Sequence, residues 1–235
     1  DITHFRRAEE AKSTFISVVS HELKTPVAVI KGYASTLRRE DADWDQSVIR
    51  DGLGVIEEET DRLTALIDNL LAASKLQAEG MRLNHVDSVG LADIVARSVE
   101  RFAPQTQMHT LQIDFPADFP HIQGDPVRLR QVIDNLVGNA IKYSPDGGTV
   151  RIEGTFDADE VTVAIRDQGV GIPEDEQPHI FERFYRVDNT LSRQTQGTGL
   201  GLYLSQAVIR AHGGTITVES HPGQGSTFRI RLPRA

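Results

Sequence analysis

Two long amphipathic stripes near the start of the chain restrict its fold more than any other feature. From Phe15 to Leu37, apolar residues recur at Phe15, Val19, Leu23, Val27, Ile30, Ala34 and Leu37, at steps of three and four. That spacing lines one face of an α-helix. A second helical pattern, from about Trp44 to Ala78, places Val48, Ile49, Leu53, Ile56, Leu63, Leu66, Ile67, Leu70 and Leu71 on one face. At 1.5 Å per residue it is about 50 Å long. The polar residues 39–47 suit the short connection of an antiparallel pair. Two such helices cannot bury both stripes on each other. A dimeric four-helix bundle buries them; packing of one hairpin on the rest of the chain is the alternative. Gly52 and Gly54 each cost about 1 kcal/mol relative to Ala, which predicts a looser upper end for the second helix. Gly80 falls near its C-cap position.

The first helix contains Ser20-His21-Glu22-Leu23-Lys24-Thr25-Pro26. His21 stands two residues from Val19 and Leu23, about 200° away around the axis, so its imidazole faces away from the stripe. Glu22 adjoins it and Thr25 follows one turn on. Pro26 removes the amide that would bond back to Glu22, which predicts a bend. With a reference pKa of about 6.5, the imidazole is mostly neutral at pH 7, and a ring nitrogen is free to attack an electrophile. Glu22 can hold the other nitrogen and stabilise the cation that forms. An ordinary surface His on an amphipathic helix is the plainer reading of the same residues.

Composition narrows the classes of function. A length of 235 residues allows one large domain or two small ones. A net charge of −9 without a basic cluster argues against nonspecific nucleic-acid binding. The absence of Cys excludes disulfides and thiolate metal sites and suits a reducing, cytoplasmic setting. No apolar run reaches spanning length and no signal peptide is present, so no membrane contact is expected. The chain opens on Asp1 rather than Met, which predicts a piece of a longer protein. Residues 1–14 are polar and helix-prone, with Asp1 and Thr3 as candidate caps.

After a linker at residues 80–87, the pattern changes to alternating helices and strands from 88 to 235. Leu91 to Phe102 reads as a helix stopped by Pro104, and Leu111 to Phe115 as a strand. Asp125-Pro126 is an N-cap with Pro at the first helical position, opening a helix to about Tyr143. Val150, Ile152 and Phe156, then Val161, Val163 and Ile165, alternate as two strands. Leu200 to Ala211 is a helix closed by Gly213-Gly214. Two more strands follow, around Ile216 and Val218 and around Phe228, Ile230 and Leu232. Helices on one face of a largely antiparallel sheet make an α+β sandwich.

Four motifs in this second part fit one ligand. Gln131, Asn135, Asn139 and Lys142 recur opposite the apolar positions of their helix. Their amide carbonyls suit a hard cation such as Mg²⁺, and Lys142 suits a phosphate. Asp167-Gln168-Gly169-Val170-Gly171 follows a strand. Its glycines admit close approach, and its carboxylate can accept from an exocyclic amine such as adenine N6. Gly197-Thr198-Gly199-Leu200-Gly201 opens a helix, a place where phosphates are cradled. It is neither a Walker A loop nor a Rossmann turn. Gly223-Gln224-Gly225-Ser226-Thr227 turns into the last strand, with Thr227 expected to reach the nucleotide. Between the second and third motifs lie Phe181 to Arg186 and the polar stretch 187–196, which suits a mobile lid.

Phe15 through Pro26 resembles the phosphoacceptor box of sensor histidine kinases. Q-V-I-D-N-L-V-G-N-A-I-K-Y-S, D-Q-G-V-G-I, F-E-R-F-Y-R and G-T-G-L-G-L resemble the N, G1, F and G2 boxes of their catalytic domain, the Bergerat ATP-binding sandwich shared with gyrase, Hsp90 and MutL. The resemblance covers about residues 12 to 235. It implies a dimerisation and phosphotransfer domain at 15–79 and an ATP-binding domain at 88–235. It implies His21 as phosphoacceptor with Glu22 as base, and Thr25 as the residue positioning water for dephosphorylation of a response regulator. It implies Mg²⁺ on Asn139 assisted by Asn135, Lys142 and Tyr143 at the phosphates and ribose, and Asp167 at adenine. Gly169, Gly171 and Ile172, with Gly197 to Gly201, would border the nucleotide, and Arg186 and Arg193 would approach its phosphates. Residues 1–14 look like a signal-transmitting helix behind an upstream PAS domain.

Two rival readings make different demands. An ATPase working by conformational change, as gyrase or Hsp90 does, needs an acidic base on the Pro126 helix, where Asp134 is the nearest carboxylate. A scaffold that has lost catalysis leaves His21, Asn139 and Asp167 unexplained.

Overall fold

The computed structural model describes residues 2–39, 44–79, 81, 83–84, 86–187 and 197–234. Outside residues 196–198, the chain divides into two compact units, a helical one to Ser74 and an α/β one from Lys75.

The helical unit holds α1 (Ile2–Leu37) and α2 (Gln46–Glu79) as far as Ser74. Helix α1 carries Pro26 within it. Along its expected stripe, Val19, Leu23, Ile30 and Leu37 are only half-buried and Val27 is 50% exposed, while Glu22 and Pro26 are buried. On α2, Leu53 and Leu71 are both 54% exposed. A single hairpin thus leaves much of both stripes in water. Gly52 has a packing reason rather than only a propensity cost: a Cβ there would stand 3.0 Å from Leu37 Cδ1. Gly54 has open space around it.

In the α/β unit, a five-stranded sheet has the order β2 (His109–Asp114), β4 (Gly148–Phe156), β5 (Glu160–Arg166), β7 (Gly225–Pro233), β6 (Thr215–His221). Only the β2–β4 pair is parallel. Helices α3 (Leu91–Phe102), α4 (Pro126–Lys142) and α5 (Gly201–Ala211) supply the second layer. The core joins Leu129, Val132, Ile133, Leu136, Val137 and Ala140 of α4 to Val150, Ile152, Val163, Ile165 and Ile230 of the sheet. Each Val, Leu or Ile among them contributes roughly 1.5–3 kcal/mol on burial. Two short strands, β1 (Val86–Val89) and β3 (Ile122–Gly124), pair antiparallel. They were not expected, and β1 begins inside the stretch read as a linker.

The start of α4 is fixed as its sequence predicts. Asp125 Oδ1 accepts the amides of Val127 and Arg128 at 3.0 and 3.1 Å. Its Oδ2 accepts the Asn84 amide at 2.9 Å, tying the incoming chain to the helix. The Asp125 amide donates to Nε2 of buried His212, whose Nδ1 donates to the Val208 carbonyl. His212 therefore carries its proton on Nδ1.

Candidate functional site

The expected motifs of the α/β unit converge through specific contacts. The C-terminal end of α4 meets the loop after β5: the Val170 amide donates to the Tyr143 carbonyl at 3.0 Å. A Cβ on Gly169 would lie 2.2 Å from that same carbonyl oxygen. The N-terminal end of α5 meets α4, where Asn135 Nδ2 donates to Ser205 Oγ at 3.0 Å. The segment at Phe184 meets the glycine-rich loop, with the Phe184 amide donating to the Gly199 carbonyl at 3.0 Å. Gly199 has φ +67°, and its Cβ would lie 2.6 Å from the Phe184 carbonyl carbon, so only glycine fits that crossing.

Asp167 is the buried anchor, 4% exposed. Its Oδ1 accepts the amides of Gly169 at 2.9 Å and Ser226 at 3.0 Å. Burial pushes its carboxyl above the usual range, against the pull of those two amides. Ser226 Oγ in turn lies 2.9 Å from Ser220 Oγ, which accepts the Ile172 amide at 2.8 Å. Gln177 Nε2 donates to the carbonyls of Ile172 and Ser220. Gly171, at φ +70°, passes so close to the β6–β7 turn that a Cβ would lie 2.0 Å from the His221 carbonyl oxygen.

Thr227 does not join this group. Strand periodicity places buried Ser226 and Phe228 on the helix side. It places Thr227 on the opposite face, paired with Arg166 and Glu219. Ser226, not Thr227, is the residue of this motif that meets Asp167. Ser220, Gln177 and Ser205 lie outside the four motifs, and Ser226 lies within the fourth, where Thr227 is the residue the sequence points to.

Asn139 and Lys142 are half-buried on α4, with Lys142 Nζ 4.9 Å from the Tyr143 ring centroid. Leu200 is fully buried at the N-cap of α5, and Gly197, Thr198 and Arg186 are half-buried. Arg193 and the rest of the lid at 188–196 lie outside the described residues. Next to Arg186, the Tyr185 hydroxyl donates to Glu176 Oε2, which pushes its pKa up to about 12. Asp134 faces α3, accepting from Ser98 Oγ at 2.8 Å and pairing with Arg101 at 3.0 Å and Arg130 at 3.6 Å.

In the helical unit, the His21 side chain lies outside the described residues; its backbone belongs to α1. Glu22 turns toward α2, where Arg62 Nη2 stands 3.9 Å from Oε2 and Arg62 Nη1 stands 3.4 Å from Glu59. Thr25 is half-buried. Among the described residues, no cluster of His, Asp or Glu could hold a metal ion. Amide oxygens are the donors on offer, and they match a hard cation rather than zinc.

A buried carboxylate, a polar helix face and glycine-rich loops meeting on a two-layer sheet define a nucleotide-binding domain. Residues 124–235 match the family of histidine kinase-, DNA gyrase B-, and HSP90-like ATPases, and residues 11–79 match the His Kinase A (phospho-acceptor) domain. The chain belongs to the sensor histidine kinases. It is 37% identical to the alginate biosynthesis sensor protein KinB of Pseudomonas aeruginosa, over 99% of this chain and 39% of KinB. It is also 37% identical to the sensor-like histidine kinase SenX3 of Mycolicibacterium smegmatis, over 99% of this chain and 60% of SenX3. The chain thus spans less than two thirds of these relatives. The solved mycobacterial sensor histidine kinase MprB matches at 30% identity and a TM-score of 0.54, over 65% of this chain and 97% of the solved chain. The histidine kinase AdeS of Acinetobacter baumannii shares the fold with a TM-score of 0.67 at 24% identity, over 91% of this chain and 97% of the solved chain.

Proposed function

We propose that the α/β unit binds ATP and that its γ-phosphoryl group passes first to His21 and then to an aspartate of a response regulator. A ring nitrogen of His21 attacks the γ-phosphorus, the bond to the bridging oxygen breaks, and ADP leaves. Glu22 takes the proton from the other ring nitrogen. The observation that supports this reading is a chain of contacts, from the Asp167 loop to the end of α4 and the last strand and from α4 to Gly201 and Ser205, in a chain that also holds the His21 box.

Asp167 has the role of accepting the adenine amine, since both amides it accepts fall on Oδ1. Lys142 and Arg186 meet the phosphates, and Tyr143 the ribose. Asn139 and Asn135 are the residues that would hold Mg²⁺, which when bound offsets phosphate charge. Their neutral carbonyl oxygens fit that ion. Asp134, committed to Ser98, Arg101 and Arg130, is a poor candidate for the base that a gyrase-like ATPase needs.

Two hairpins pair as a homodimer through the exposed apolar residues of α1 and α2. Thr25 positions water for dephosphorylation of the regulator, giving a second, phosphatase activity. A PAS-type sensor lies upstream of residues 1–14. The test is to incubate the chain with labelled ATP and Mg²⁺, then add a receiver domain. Acid-labile label that leaves this chain and appears on the receiver supports the kinase reading. Release of free phosphate from a phosphorylated receiver, lost in Thr25→Ala, supports the phosphatase. ADP production without protein labelling would favour the ATPase instead.

A further inference from the structure

We propose that Ser205 is a positioning residue for divalent-cation-dependent nucleotide binding, acting through the Asn135 amide. The proposal rests on the reading that Asn135 offers its carbonyl oxygen to Mg²⁺. The two ends of an asparagine amide have nearly the same shape but opposite polarity. A cation site needs the oxygen inward, and a 180° turn would present an NH₂ group instead.

Ser205 anchors one end of that amide. Its hydroxyl is buried, 3% exposed, and takes the Asn135 Nδ2 proton at 3.0 Å. Four residues earlier on the same face of α5 is Gly201, its first residue. A Cβ on Gly201 would come within 2.3 Å of Asn135 Oδ1. The amide thus lies along the first turn of α5, nitrogen toward Ser205 and oxygen toward the helix N-terminus. A helix N-terminus presents backbone amides that favour phosphate oxygens. Gly201 leaves room for the carbonyl, and Ser205 holds the amide in that pose.

Groups that orient a metal ligand are typically worth about 10–100-fold in metal-dependent affinity. The experiment measures the Kd of a fluorescent ATP analogue, with and without Mg²⁺, for the parent, Ser205→Ala, Asn135→Ala and the double variant. Melting temperatures are recorded alongside. In Ser205→Ala, the gain in affinity on adding Mg²⁺ should fall roughly tenfold. Its metal-free Kd should stay within about twofold of the parent. Adding Ser205→Ala to Asn135→Ala should change nothing further, because Ser205 acts through that amide. An undiminished Mg²⁺ gain in Ser205→Ala overturns the proposal. So does an equal loss with and without metal, which marks a merely structural role. So does a Ser205→Ala effect that persists in the Asn135→Ala background. A parent whose nucleotide affinity ignores Mg²⁺ removes the underlying assignment of the cation site, and the proposal with it.

Discussion

The Ser226 amide donates to the Asp167 carboxylate at 3.0 Å inside the α/β unit, joining the last strand to the loop that would meet the base. Asp167→Asn keeps an oxygen for that amide and for Gly169 but puts an amide where the ligand needs an acceptor. Loss of a hydrogen bond to a charged group costs about 1.5–3 kcal/mol, or roughly 10–150-fold in ATP affinity, which calorimetry would read.

The same substitution should leave a signature in stability. Burial raises the Asp167 carboxyl above its ordinary value of 3.8. A raised carboxyl favours folding most below the unfolded value, and that contribution is lost as pH rises through the folded one. Without nucleotide, Asp167→Asn should therefore gain in melting temperature relative to the parent as pH climbs from about 4 to 7. A constant difference across that range would contradict the buried-charge account.

Asp125 should behave in the opposite sense. Burial alone would raise its carboxyl, but the amides of Asn84, Arg128 and Val127 and the charge of Arg128 outweigh it and hold it low. Its stabilisation is present above the unfolded value of 3.8 and is lost as pH falls through the folded one. Asp125→Ala should cost about 1–2 kcal/mol at neutral pH in denaturant titrations, with a smaller penalty in acid.

Gly171→Ala is expected to destabilise the α/β unit by about 2–3 kcal/mol, since it combines left-handed backbone with a clash. The φ of +70° is unfavourable for Ala, and the new methyl would meet the backbone carbonyl of His221 rather than a movable side chain. Chemical denaturation checks it. A change under about 0.5 kcal/mol would mean that the loop and turn separate easily.

Leu53 and Leu71, each 54% exposed on α2, belong to the apolar surface assigned to a second copy. Leu53→Arg with Leu71→Arg should shift the sedimentation coefficient from dimer to monomer while leaving nucleotide binding within about twofold. A dimer that survives both charges would place the interface elsewhere.

Much of this was legible because periodicity and punctuation agreed. The stripe on α4 and the Asp125-Pro126 start were both explicit in the sequence and recur in the core and the cap. The short strands β1 and β3 were missed because four and three residues give no period to read. Thr227 was misplaced because the motif names a stretch, whereas the pleat decides which neighbour faces inward. Ser205 was invisible because a buried serine bonded across the fold looks, in sequence, like any other polar residue. The pairing of Glu22 with Arg62 likewise depends on the register of two helices joined by a polar turn.

The most direct test of the central claim is incubation with γ-labelled ATP and Mg²⁺, comparing the parent with His21→Ala. The account predicts acid-labile, base-stable label on the parent and none on the variant, with both binding nucleotide equally. Equal label on the variant would contradict the assignment of His21. An unlabelled parent that still binds ATP would contradict the kinase reading itself.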